Sequence, residues 1–330
     1  MVHPLYQYDK AAIELEHLAK TRISTGYLQY PIANYSQSFD SSTFTCTSTG
    51  SINAGVWRAT TTIEETGELE EIVFTVHGVL EQCELPPIIK PLAKPSSAKY
   101  LQQRIVLTGL DTPTFNDARD GLARVEYYLR LNVRDYNPQY HVGIRGSQGK
   151  LHLSNRYFTS KRFAEEMEDI AFPTEIDPKG ILNSIRGDSL VHTTENDVEY
   201  YERYYRNGEQ HFRKIQPAHI TKGDIVEVQF TMTLFESLHN KEAQSGPVYN
   251  TKLILRSITL LDRHFSEARS HVVVLFVAPT NICIQQCRSS VIAGPKRNVL
   301  KRKVGYDEEQ SQEARDRFKK MSIDNPNDPV

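Results

Sequence analysis

Cysteine is scarce in this chain of 330 residues, and its four copies, Cys46, Cys83, Cys283 and Cys287, are too scattered to staple a small scaffold. Net charge is nearly absent as well. The 39 lysines and arginines against 41 aspartates and glutamates leave −2, which gives no whole-molecule attraction to a polyanion, so a partner of that kind has to be met by a local patch. Long apolar runs are missing: the longest, VVVLFVA at Val272–Ala278, is far below the ~20 residues that span a bilayer and reads as a buried strand. The opening MVHPLYQYDKAAIELEHLAK has no apolar signal region. These absences set the expectation of an intracellular protein in a reducing compartment, with no membrane partner.

Signatures of catalysis are missing too. No His-Glu-x-x-His, nucleophile elbow or paired Cys-x-x-Cys occurs. GIRGSQGKL, Gly143–Leu151, fails as a phosphate loop because its first glycine is one residue out of register and Leu151 stands where a hydroxyl is needed; it reads as a glycine-rich turn. Cys283 and Cys287 lie four apart but lack two further ligands at zinc-like spacing. His192, His239 and His264 each precede a glutamate by three positions, a pattern of surface or capping contacts. No catalytic residue, metal or cofactor is therefore assigned. An enzyme would need a polar pocket collecting His141, His152 or His192 with carboxylates.

What is present is a β-rich pattern. The reading is of a mainly β (α+β) fold, a β-sandwich or small barrel with a few peripheral helices, preceded by a smaller β-rich N-terminal region. Residues 1–85 form that region, opened by a short helix with Asp9 as N-cap and Ile13, Leu15 and Leu18 on its apolar side. SQSFDSSTFTCTSTGS then reads as loop or edge strand, and a hairpin follows about Thr66-Gly67. Pro86, Pro87, Pro91 and Pro95 make 86–98 an extended linker. The main domain is 99–293, and 294–330 is a basic, then polar, disordered tail.

Within the main domain RVEYYLRLNVR alternates with period two, which predicts a strand with Arg124, Tyr128, Arg130 and Arg134 outward. Thr159–Phe172 predicts a helix capped by Thr159 or Ser160 and stopped by Pro173. KGDIVEVQFTMTLF predicts a strand with Val226, Val228, Phe230, Met232 and Leu234 inward and Glu227, Gln229, Thr231 and Thr233 outward, while TKLILRSITLLDR, apolar on both faces, predicts a central strand.

The charge is unevenly laid out. Seven glutamates face three basic residues between Arg58 and Lys94, and eleven basic residues face five acids from Lys99 to Arg162. Such blocks can neutralise one another or leave a basic surface. PKRNVLKRK adds a basic cluster, with Lys296, Arg297, Lys301, Arg302 and Lys303, that reads as a nuclear localisation signal or a polyanion-binding tail.

DVEYYERYYRNGEQHFRKI concentrates tyrosine and arginine around Asn207-Gly208, the strongest short hairpin signal because a type I′ turn needs two residues at positive φ. That turn fixes the register: Arg206 opposite Glu209, Tyr205 opposite Gln210, Tyr204 opposite His211, Arg203 opposite Phe212, Glu202 opposite Arg213, Tyr201 opposite Lys214. One face then pairs its own charges. The other carries Tyr201, Arg203, Tyr205, Phe212 and Lys214, rings interleaved with cations, as single-stranded nucleic acid needs for base stacking and backbone charge. In a plain β protein the same rings pack on a neighbouring sheet with the cations lying over them.

At HTTENDVEYYER, KGDIVEVQFTMTLF and LRSITLLDR, within Asp177–Arg263, the chain resembles a group of uncharacterised proteins of mushroom-forming fungi. That resemblance implies a eukaryotic, intracellular setting and no activity. The Gly223-Asp224 turn entering a strand is similar to small-barrel (OB-like) single-strand binders. The leading expectation is a non-enzymatic, nuclear, nucleic-acid-binding protein, DNA or RNA, with single strands preferred. The alternative is a structural or protein-interaction β-sandwich whose tyrosines anchor an assembly or self-association contact.

Overall fold

The computed structural model describes residues 6–28, 30–38, 44–49, 56–89, 95–133, 141–142, 149–164, 167–237, 248–266 and 300–307. The apolar run at Val272–Ala278, Cys283, Cys287, Arg134, Lys296, Arg297, most of Gly143–Leu151 and the tail after Asp307 lie outside them.

Helix α1 (Tyr8–Ser24) is followed by β1 (Thr45–Thr49), β2 (Val56–Thr62), β3 (Leu69–Glu71) and β4 (Phe74–Glu84). Next come β5 (Gln102–Thr108), α2 (Pro113–Leu131), β6 (His141–Val142), β7 (Lys150–Arg156), β8 (Thr159–Ser160), α3 (Ile181–Ile185) and β9 (Leu190–Val191). The hairpin β10 (Glu199–Arg206) and β11 (Glu209–Lys214) precedes the two longest strands, β12 (Ile225–Ser237) and β13 (Val248–Asp262). The fold is mainly β.

Strand pairing closes a circuit. β4 pairs with β5, β5 with β7, β7 with β13, β13 with β12, and β12 with β4 again. Every pairing in this ring is antiparallel except the short parallel one, where Leu253 and Ile254 meet Leu153 and Ser154. The result is a five-stranded, partly open barrel rather than a sandwich. Its interior is filled by Phe74, Val76, Leu80, Ile105, Leu107, Leu151, Leu153, Val226, Val228, Phe230, Leu255 and Ile258. Three additions leave the ring: β2, with β1 and β3, attaches to the far end of β12, while the β10–β11 hairpin and the short β6 attach in parallel to β13. The expected boundary at 86–98 therefore joins neighbouring strands of one barrel, because β4 and β5 pair directly from Val79–Thr108 to Glu84–Arg104.

Two sequence expectations are overturned. The strand expected from Arg124 is not formed: residues up to Leu131 continue α2, whose buried Phe115, Ala118, Leu122, Val125 and Leu129 recur three and four apart and lie against the barrel core. Tyr127 and Leu131, which strict alternation would put on the face opposite Arg124, Tyr128 and Arg130, are 60% and 62% exposed. The described residues of Thr159–Phe172 form a short strand and a single 3-10 turn at Lys161–Phe163 rather than an α-helix, because their backbone bonds go elsewhere: Lys161 N–H donates to the Ser189 carbonyl (2.9 Å) and Ile170 N–H to that of His192 (2.8 Å). In α1, Asp9 sits in the first turn with Gln7 at the N-cap, and Ile13 faces outward while Ala11, Leu15, Leu18 and Arg22 are buried. Among the described residues no helix is long and apolar enough to cross a membrane.

Candidate nucleic-acid interface

The hairpin adopts the register that its turn dictates, from Tyr201 opposite Lys214 to Arg206 opposite Glu209, with Asn207 and Gly208 at φ of 54° and 81°. Its cationic aromatic face is covered at the base. Tyr201 and Phe212 are only 6% and 8% exposed, because Tyr306 inserts against both, stacked on Phe212 at 3.8 Å and edge-on to Tyr201 at 5.1 Å. The cations are engaged as well: Arg203 donates to the Leu261 carbonyl (2.8 Å) and lies over Tyr205, while Lys214 pairs with Glu199 (3.1 Å). Tyr205, at the tip, is 62% exposed.

The second set of expected binding residues is dispersed by the helix. Tyr128 donates to the Phe44 carbonyl (2.8 Å) and Arg130 pairs with Glu126 one turn away (2.7 Å), while Arg124 is exposed on α2. Being helical, these residues do not extend the hairpin face as a neighbouring strand would.

The basic segment is spent on the acidic one. Lys301 pairs with Glu68 (2.5 Å), Lys303 with Glu70 (4.0 Å), and Arg302 with Glu71 (3.0 Å) and Glu195. Glu71 and Glu195 also receive Arg58 and Arg256, so three guanidiniums and two carboxylates share one buried cluster. Of these cations Arg302 is buried, whereas Lys301 and Lys303 are ion-paired but exposed, and nothing in this arrangement supports the reading as a targeting signal. The expected neutralisation between Arg58–Lys94 and Lys99–Arg162 runs through Arg104 with Glu84 (2.5 Å) and Lys150 with Glu81 (2.9 Å).

The barrel itself carries a second cationic face, half-buried except at His152, which is exposed. Because side chains alternate along a strand, Ile105, Leu107, Leu151 and Leu153 point into the core and leave Gln102, Arg104, Val106, Thr108, Lys150, His152, Ser154 and Arg156 on the outer side of β5 and β7, with Val106 buried opposite His152. Their register sets Arg104 opposite Ser154, Thr108 opposite Lys150, and Gln102 opposite Arg156. Neither strand contains an acid. His152 reports the local field: partial burial, then Arg104 and Lys150, hold its imidazole below the ordinary histidine range against a smaller opposing effect of Glu81. Arg156 sits beside Tyr100, a partly exposed ring that Lys99 also overlies at 4.9 Å. The signal in the sequence is the alternation of QQRIVLT and KLHLSNR, which places every polar residue but Gln103 and Asn155 on one face.

Of the histidines considered for an enzyme site, His192 and His152 lie in different surroundings, and the side chain of His141 lies outside the described residues. His192 is buried, stacked on Phe172 at 3.9 Å and bonded to the Tyr157 carbonyl (2.8 Å) and Asp197 (3.1 Å), whereas His152 is exposed on β7. Burial pushes the thiols of Cys46 and Cys83 up to about 12, so neither is a thiolate near neutral pH. Among the described residues no group of three or more His, Cys, Asp or Glu is placed to hold a metal ion.

No protein-family model and no curated protein matches the chain. Among solved structures, the crystal structure of gp2.5, a single-stranded DNA binding protein encoded by bacteriophage T7, is similar with a TM-score of 0.30 and 13% identity, covering 63% of this chain and 99% of that one. A likeness this slight carries no weight for function.

Proposed function

We propose that this protein binds single-stranded nucleic acid, without catalysing a reaction on it, across the outer face of β5 and β7. The observation that carries the reading is the row of Arg104, Lys150, His152 and Arg156 on two adjacent barrel strands that contribute no acid of their own, with Glu84 and Glu81 of β4 pairing Arg104 and Lys150 at its margin and Tyr100 beside Arg156 at one end. Cations along a groove track phosphates, and a ring at its margin offers a π-face to a base, worth ~1–3 kcal/mol per stacked base. The frame supports the site. A five-stranded, partly open Greek-key barrel is the scaffold of oligonucleotide-binding folds, which use the face of their second and third strands; in the circuit here those are β5 and β7. Fold alone would not make the case, since one frame hosts many functions, so the charge on the face decides.

Fluorescence anisotropy with labelled oligo-dT tests it. The chain binds at low salt, and Arg104→Ala with Lys150→Ala and Arg156→Ala weakens binding and flattens the salt dependence by ~0.7 log units per log unit of salt for each phosphate that is no longer neutralised. No binding at low salt, or an unchanged triple variant, overturns the reading.

A further inference from the structure

Residues 300–307 run across the hairpin and β3 in a bed that recognises them one by one. Glu71 N–H donates to the Lys301 carbonyl (2.8 Å), and Glu68, Glu71 and Glu70 take Lys301, Arg302 and Lys303 in turn. The Gln229 side chain grips the Gly305 backbone twice, accepting from its N–H (2.8 Å) and donating to its carbonyl (3.3 Å). Gly305 has φ of 88°, and a Cβ there would collide with the Tyr201 hydroxyl. Beyond it the Tyr306 ring enters the barrel side of the hairpin, its hydroxyl donating to Glu227 (2.7 Å) and meeting Thr259, with Arg22 over Phe212 at 4.8 Å.

The stack of Tyr306 on Phe212, 3.8 Å between centroids and 14° between planes, is the geometry that a nucleobase takes on an aromatic side chain. We propose that residues 300–307 are a releasable strap and that its departure uncovers a second single-strand binding surface, with Phe212 and Tyr201 as stacking rings continuous with Arg203, Tyr205 and Lys214. This rests on the nucleic-acid reading above. Two of its contacts, the Lys301–Glu68 and Lys303–Glu70 pairs, are exposed and weakened by salt, while Arg302, Gly305 and Tyr306 are held by Glu71 and Glu195, by Gln229 and by Glu227 and set the cost of release.

The test uses the full chain with Lys301→Glu and Lys303→Glu, which loosens the strap without touching the hairpin or the β5–β7 face. Hydrogen exchange at residues 300–307 reads release, and anisotropy with oligo-dT reads binding. The variant is more acidic, so general electrostatics predicts weaker binding; an uncovered stacking ring predicts binding tighter by about fivefold or more. Phe212→Leu in the released background removes that gain. Faster exchange with no gain in affinity overturns the strap proposal while leaving wild-type binding and the effect of the β5–β7 triple variant intact. Absence of binding by every form is the separate failure of the nucleic-acid reading, and it removes this proposal with it. If exchange is not faster, Tyr306→Ala provides the release, and the same affinity comparison decides.

Discussion

The outer face of β5–β7 and the hairpin β10–β11 are written in the same alphabet of arginine, lysine and aromatic rings, yet only in the hairpin are rings covered by a distant segment of the chain. In the hairpin, Arg203, Arg213 and Lys214 are bound to Leu261, Glu202 and Glu199, and two of the rings lie under Tyr306. On the barrel face, Arg104 and Lys150 keep one carboxylate each at the margin, and His152 is exposed between like charges. Composition marks both stretches as candidates. What separates them is whether another part of the chain covers the surface.

The comparison breaks most sharply at Glu227, which accepts from Arg22 (2.8 and 3.1 Å), His77 (2.8 Å) and Tyr306 beneath the hairpin. Glu227→Ala strands a buried guanidinium and lowers unfolding free energy by ~3–5 kcal/mol in urea titrations, while binding per folded molecule at the β5–β7 face is unchanged. Acid should act on the same side of the molecule. Burial alone would push the carboxyls of Glu227 and Glu195 up, but Arg22 and His77 at the first, and Arg58, Arg256 and Arg302 at the second, hold both well below the usual carboxylate range. A carboxyl whose folded value is depressed contributes stability above its unfolded value, ~4.3 for glutamate, and that contribution is lost as pH falls toward the folded value. Thermal melts from about pH 7 down to about pH 3 should show the decline beginning near the unfolded value, with little change above it. A smaller effect is expected at the turn: Gly208→Ala, at φ of 81°, costs ~1–2 kcal/mol by the same titration. Smallest of all, His152→Ala, at an exposed position of β7, shifts stability by no more than ~0.5 kcal/mol and is seen only in binding.

How much of this is legible in the sequence depends on how local the deciding physics is. The hairpin register follows from two residues, Asn207 and Gly208, and the structure shows it at every pair from Tyr201–Lys214 to Arg206–Glu209. In β12 the inward set Val226, Val228, Phe230, Met232 and Leu234 is buried as expected, but Glu227, Gln229, Thr231 and Thr233 are buried too. Glu227 and Gln229 are covered by Arg22, 205 positions before Glu227, and by Gly305 and Tyr306, 76 and 79 positions after their partners, beyond any window of periodicity. The end of α2 mimics a strand because the residues from Arg124 happen to alternate; extending the window back to Phe115 restores the helical spacing of Phe115, Ala118, Leu122, Val125 and Leu129. The cationic face of β5 and β7 is readable from alternation alone, but its importance depends on the two strands being neighbours, which only the closed ring shows.

That ring also sets a timetable. β4 ends at Glu84, and the strand that completes its other edge, β12, begins at Ile225. At about 5–20 residues per second, a ribosome needs on the order of ten seconds to deliver the closing strand after β4 has been made. Through that interval the first strands present an unpaired edge and an uncovered apolar face, so the nascent chain is most exposed to mispairing well before its last residue is added.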